Sequence, residues 1–168
     1  MAWRGSTSVQ DRVFACLPYT FPMVESMMFG TFLMQQFPTL GLILLPLTPF
    51  AAIYGILNSL LGGWGGFAIF FALYLLIVRN ESLSHFLRFN TMQALIIGIA
   101  VSLISAVLDL LGLLRNLALP LPLPIVVIFS TIFLGVLVSS IYSIIQAIRG
   151  RYAEIPVLSE AAYSQVRY

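Results

Sequence analysis

The sequence predicts an all-α integral membrane protein with four transmembrane helices in a packed bundle. Three observations predict it. The chain of 168 residues is 60% apolar and only 8% charged, whereas soluble domains average about 45–50% and 25%. Eight arginines and six acids cannot dress a water-soluble surface of this size, so most of the outside must meet lipid. Four apolar stretches, 37–57, 60–78, 89–111 and 123–148, reach the roughly 20 residues a helix needs to cross the hydrocarbon core. With four crossings, Arg4, Arg12, Arg79, Arg88, Arg149, Arg151 and Arg167 share one side and Arg115 stands alone on the other. The positive-inside rule then puts both termini on the cytoplasmic or stromal side.

Residues 1–36 include an apolar run interrupted by Pro18, Pro22 and Glu25, and the reading is an amphipathic, interfacial or re-entrant segment. If it crossed as a fifth span, the arginine split would fall to five against three, so the charge pattern disfavours that alternative. Pro46 and Pro49 lie inside the first span and remove two backbone donors, which leaves the carbonyls of Leu42 and Leu45 in need of other partners. A kink is expected there, serving either as a groove wall for a client or to fit the bundle. Asn58 and Ser59 form the tight connection to the second span, whose Gly62 and Gly66 make a G-x-x-x-G pair. On the third span Ala94, Gly98, Ser102, Ser105 and Asp109 fall within about 80° of arc. Thr131, Gly135, Ser139 and Ser143 form a similar stripe on the fourth. Small residues let helices approach where lipid supplies no hydrophobic drive, so both stripes predict packing seams. Arg115-Asn116 and the alternating Pro120, Pro122 and Pro124 separate these two spans. Residues 149–168 read as a short tail, and the whole chain as one membrane domain.

The candidate chemistry is sparse. One cysteine, Cys16, and one histidine, His85, give no disulfide and no metal cluster, and no nucleophile–histidine pair or phosphate-cradling loop occurs. An enzyme, a cofactor and, at a net charge of +2, a nucleic-acid partner are all unexpected. Asp109 is the one ionisable residue inside a span, near its outer end, where water or an arginine can meet it. The densest polar stretch runs from Arg79 to Gln93. Ser82 or Ser84 can cap the third helix. Asn90 and Gln93, one turn apart beside Arg88, must find amide partners across the bundle and so fix its packing. The candidate packing or client-contact residues are Arg88, Asn90, Gln93, Asp109, Pro46 and Pro49.

Several blocks resemble a known family. They are Asp11-Arg12-Val13-Phe14-Ala15-Cys16-Leu17-Pro18-Tyr19, Gln35-Gln36-Phe37-Pro38, Tyr74 to Asn80, Arg88-Phe89-Asn90-Thr91-Met92-Gln93-Ala94, and Ile155-Pro156-Val157-Leu158-Ser159-Glu160-Ala161-Ala162. Together they are similar to the 20-kDa subunit of the chloroplast inner-envelope protein translocon (Tic) and its cyanobacterial relatives, over nearly the whole chain. The resemblance implies four membrane helices, stromal or cytoplasmic termini, and a part in moving precursor polypeptides across a membrane with other subunits. With no transit peptide visible, the expected setting is a cyanobacterial plasma or thylakoid membrane or a plastid inner envelope. Four close-packed helices leave no aqueous path through one copy, so other membrane subunits or a homo-oligomer are expected partners besides the lipid bilayer. The alternative is a structural or assembly subunit of a larger photosynthetic or respiratory complex.

Overall fold

The computed structural model describes residues 7–114 and 122–166, and every regular element among them is helical. Ser8 opens the first helix, α1 (Val9–Cys16), through a reciprocal capping box with Asp11. A 3₁₀ turn (Leu17–Tyr19), α2 (Thr20–Ser26), a second 3₁₀ turn (Met27–Gly30) and α3 (Thr31–Gln36) follow without leaving right-handed helical backbone at any junction. Residues 9–36 therefore make one bent rod. The prolines that suggested a broken segment sit in first turns, Pro18 opening the 3₁₀ turn and Pro22 in the first turn of α2, where a missing N–H costs little.

The rod lies along the two long helices, α7 (His85–Leu110) and α8 (Leu123–Ile148). Asp11 meets Ser84, Tyr19 meets Asn90, Phe21 meets Gly98 and Glu25 meets Ser102, so rod and α7 ascend together. Cys16 meets the Ile144 carbonyl, Phe29 meets Phe129 and Gly30 meets Phe133, so α8 runs the opposite way. Tyr19, Phe29, Val101 and Phe133 are buried together between them. In lipid this gain comes from close packing rather than from removing apolar surface from water.

The first predicted span is not one helix. It divides into α4 (Pro38–Ile43), a 3₁₀ turn (Leu45–Leu47) and α5 (Thr48–Leu60). Pro46 and Pro49 each occupy the first turn of a new element, and the Leu45 carbonyl accepts the Thr48 hydroxyl at 2.7 Å, so the expected orphan is satisfied locally. The turn to the next helix comes at Gly62 and Gly63, both at positive φ, rather than at Asn58-Ser59; Asn58 Oδ1 instead accepts the Gly65 N–H. Then come α6 (Gly65–Leu73) and a widened π turn (Tyr74–Val78). The chain bends by 114° between the leg from Leu45 to Leu60 and the leg from Gly65 to Val78. Among the described residues, α7 and α8 are each long and apolar enough to cross a membrane, and the bent pair makes a third such element if taken as one.

Two of the packing seams also differ from expectation. Gly62 turns the chain with open space around it, while Gly65 and Gly66 make the close approaches, to Asn58 and to Glu25 with Tyr54. On α8, Thr131 and Gly135 face outward, and Thr131, Ser139 and Ser143 donate to carbonyls of their own helix. The α7 stripe holds in its first half, where Ala94 is buried and Gly98 lies against the Phe21 ring. Arg4, Arg115, Asn116, Pro120 and Arg167 lie outside the described residues.

Candidate functional site

Two features stand out, a polar junction at the start of α7 and an apolar groove beside it. Ser84 caps α7 by accepting the Leu87 N–H and donates its own hydroxyl to Asp11 at 2.8 Å, so the start of the long helix is tied to the start of the rod. Burial opposes ionisation of Asp11, but hydrogen bonds from Ser84 and Ser8 outweigh it and hold the carboxyl below its ordinary value.

One and a half turns on, Arg88, Asn90 and Gln93 are all buried. Arg88 Nε donates to the Val78 carbonyl at 2.9 Å and so holds the foot of α6. Asn90 Nδ2 donates to the Phe86 carbonyl and Gln93 Nε2 to the Ala153 carbonyl. Their amide oxygens both face the Tyr19 hydroxyl, at 3.1 and 2.9 Å, and its single proton serves one of them at a time. The tail returns over the same spot. Helix α9 (Leu158–Gln165) packs on the first turns of α7, Tyr152 shares a hydrogen bond with His85 at 3.0 Å, and Phe89 contacts the rings of Tyr152 and Tyr163. The Arg-Phe-Asn-x-x-Gln-Ala block is thus the place where the rod, α6, α7 and the tail meet. Sequence reading singled out its polar residues; it missed Tyr19, whose partners lie more than seventy residues away, and it missed α9.

The remaining candidates lie apart from this junction. Pro46 and Pro49 are exposed on the bent arm, and Asp109 is exposed on the last turn of α7.

The groove has a volume of about 550 Å³. Its walls are Phe14 and Leu17 of the rod, Phe50 and Ile53 of α5, and Leu73 and Ile77 of α6 and its π turn. Leu83 and Leu87 close the arginine-bearing end, and Thr20 and Tyr54 are the only polar residues among the lining. At the opposite end Glu25 bridges three elements, accepting from Ser102 at 3.4 Å and from Tyr54 at 3.5 Å, with Gly66 giving it room. Among the described residues no group of histidine, cysteine and acidic side chains suited to a metal occurs.

A family model described as chloroplast import apparatus Tic20-like matches residues 8–162. The chain belongs to the Tic20 family. A Tic20 family protein of Synechocystis sp. is 39% identical over the full length of both chains. The Arabidopsis thaliana protein TIC 20-v, chloroplastic, is 33% identical over 96% of this chain and 73% of its own length. The Pyropia yezoensis Tic20 family protein Ycf60 is 31% identical over 96% and 78%. The family match takes in both the junction and the groove, so a Tic20-type helical membrane protein is built around them.

Proposed function

We propose that this chain is a non-enzymatic subunit of a membrane assembly that translocates or inserts polypeptides. The supporting observation is the bent arm. The chain bends by 114° between its two legs, and Leu45, Ile56, Leu60 and Phe67 on them are exposed. Neither leg alone has the length to cross, and the bundle beside it is filled by Tyr19, Phe29 and Phe133. The described residues of one copy therefore enclose no water-filled path, and a moving polypeptide has to pass between the arm and a partner subunit or a second copy. Family membership supports the same reading, since the matching model is described as an import apparatus component.

In this proposal the membrane is crossed four times, by the rod from Phe14 onward, by the bent arm as one broken crossing, by α7 and by α8. The distance along the rod from Asp11 to Phe29 is about 27 Å at 1.5 Å per residue, close to the hydrocarbon thickness of about 30 Å. Four crossings keep Arg12, Arg79, Arg88, Arg149 and Arg151 together and both termini on the cytoplasmic or stromal side. Arg88, Asn90 and Gln93 act as packing residues at that side, while Pro46 and Pro49 present the arm to the client.

Photoreactive residues at positions 46 and 49 test this against a stalled precursor. Labelling at least five times that obtained from position 103 or 138, both exposed on the long helices, is the expected result. Equal labelling, with co-purification at fixed stoichiometry in a pigment or electron-transfer complex, would instead favour the structural-subunit reading.

A further inference from the structure

We propose that α9 is a strap that opens about a strained turn at Val157 and, in opening, uncovers Phe89 and loosens the foot of the bent arm. The backbone carries the inference. Val157 stands at φ 69° and ψ −49°, the one non-glycine residue at positive φ among the described residues. Across it the Leu158 N–H donates to the Pro156 carbonyl at 2.8 Å. These three residues make the positive-φ form of the γ-turn, which is rare and strained. A β-branched residue is an outlier there, because its Cβ crowds the following carbonyl oxygen. Val157 is 74% exposed, so its side chain gains little packing in return.

The turn keeps this shape because both flanks are held. Upstream, Ala153 is fully buried with its carbonyl accepting Gln93 Nε2, and the Tyr152 ring lies 5.2 and 5.0 Å from those of Phe86 and Phe89. Downstream, the Ile155 carbonyl accepts the Ser159 hydroxyl at 2.6 Å and the Ser159 N–H at 3.0 Å, a catch that keeps α9 folded back against the strain. The apolar side chains that α9 and its cap bury fully are small, Ala162 and Val166. A helix of eight residues does not persist in water without its docking contacts. Release therefore falls at Val157, with α9 leaving and Tyr152 staying. What it bares is specific. Ala162 and Val166 share one buried cluster with Phe89 and Met92 of α7 and with Val78 of the π turn, and the Tyr163 ring lies 4.4 Å from that of Phe89. Departure of α9 removes one wall of this cluster, so the foot of the arm at Val78 loses support, and the setting of the arm is coupled to the state of the tail.

The test is hydrogen–deuterium exchange of the full chain in lipid nanodiscs, resolved by mass spectrometry with electron-transfer fragmentation. The N–H groups of Ala161 and Val166 bond to the Val157 and Ala162 carbonyls, and their exchange reads the open fraction of α9. At an ordinary position glycine loosens a segment more than alanine does. At Val157 the order should reverse, with Val157→Gly exchanging at least threefold more slowly than Val157→Ala. Ser159→Ala removes the hydroxyl of the catch and should speed exchange at the same amides at least threefold. Arg79, whose N–H bonds to the Tyr74 carbonyl at the foot of the arm, should follow in the same direction by at least twofold, while Val101 inside α7 stays unchanged. Glycine equal to or looser than alanine would overturn the strained turn, and an unaltered rate in Ser159→Ala would overturn the catch. An unmoved Arg79 would overturn the coupling to the arm. Equal shifts at Val101 would mark a change in global stability and overturn the strap itself. Because no client is present, failure here is separable from failure of the translocation reading, which is scored at positions 46 and 49.

Discussion

Replacing Tyr19 by Phe removes one oxygen atom from a site with no exposure to solvent or lipid, and the structure fixes what that atom does. Its hydroxyl lies 3.1 Å from Asn90 Oδ1 and 2.9 Å from Gln93 Oε1, and all three side chains are fully buried. The Tyr19→Phe variant keeps the ring packing, takes the tyrosine donor from two amide oxygens and removes the oxygen that the buried Ser143 hydroxyl meets. Hydrogen bonds between membrane helices average about 0.6 kcal/mol and reach about 1.7, and an orphaned buried acceptor costs about 1–3 kcal/mol. A loss of about 1–2 kcal/mol is expected. Gln93→Leu also breaks the bond to the Ala153 carbonyl and should cost about 2–3 kcal/mol. The double variant decides the matter: the Tyr19–Gln93 contact cannot be lost twice, so its cost should fall short of the sum by about 0.6–1.7 kcal/mol. Reversible unfolding in mixed micelles, followed by circular dichroism against denaturing detergent, measures each value. Strict additivity within about 0.3 kcal/mol would refute a hydrogen bond from Tyr19 to Gln93.

The glycines give a paired outcome, read as melting temperatures in mild detergent. Gly65→Ala would drive its methyl into the Asn58 backbone and should destabilise strongly, whereas Gly135→Ala has open space and should be neutral or gain up to about 1 kcal/mol of helix propensity. The Asp11 carboxyl is held below its usual value in the fold, so its contribution is present above the unfolded pKa of about 3.9 and is lost as pH falls through the folded value. Asp11→Asn should therefore flatten the acid limb of a melting profile below about pH 4 while leaving the neutral plateau shifted only slightly; an unchanged acid limb would count against the Ser8–Asp11–Ser84 tie.

The long helices were the most legible part of the chain. The fourth predicted span coincides with α8, and the third begins four residues late because its polar first turn, His85 to Arg88, looked like loop while the tail and rod in fact cover it. Prolines were the main source of error. Pro18 and Pro22 read as breaks and Pro46 and Pro49 as a kink, yet all four fall in the first turn of an element, and Pro18 and Pro46 sit alike, each second in a 3₁₀ turn with right-handed helical backbone on both sides. Periodicity alone cannot show this, because it depends on how the carbonyls of each turn are met, as the Leu17 carbonyl is by the Thr20 hydroxyl and the Leu45 carbonyl by the Thr48 hydroxyl. On the α8 stripe Thr131 and Ser139 misled because a hydroxyl that bonds back to its own helix needs no neighbouring one, while Ser143 does pack into a seam, buried against Tyr19 of the rod. At the candidate site, Arg88, Asn90 and Gln93 were visible as amides and a charge needing partners; Tyr19 was not, because a tyrosine in an apolar run announces nothing about what its hydroxyl will meet.

Four hydrogen bonds fasten one end of the molecule. Asp11 to Ser84, Arg88 to Val78, Gln93 to Ala153 and His85 to Tyr152 all lie within 3.0 Å at the arginine-bearing end, where they tie the rod, the π turn and the tail to the first turns of α7. Such a body behaves like a pair of forceps pinned at the handle: a small tilt about the fixed end becomes a wide displacement at the tips.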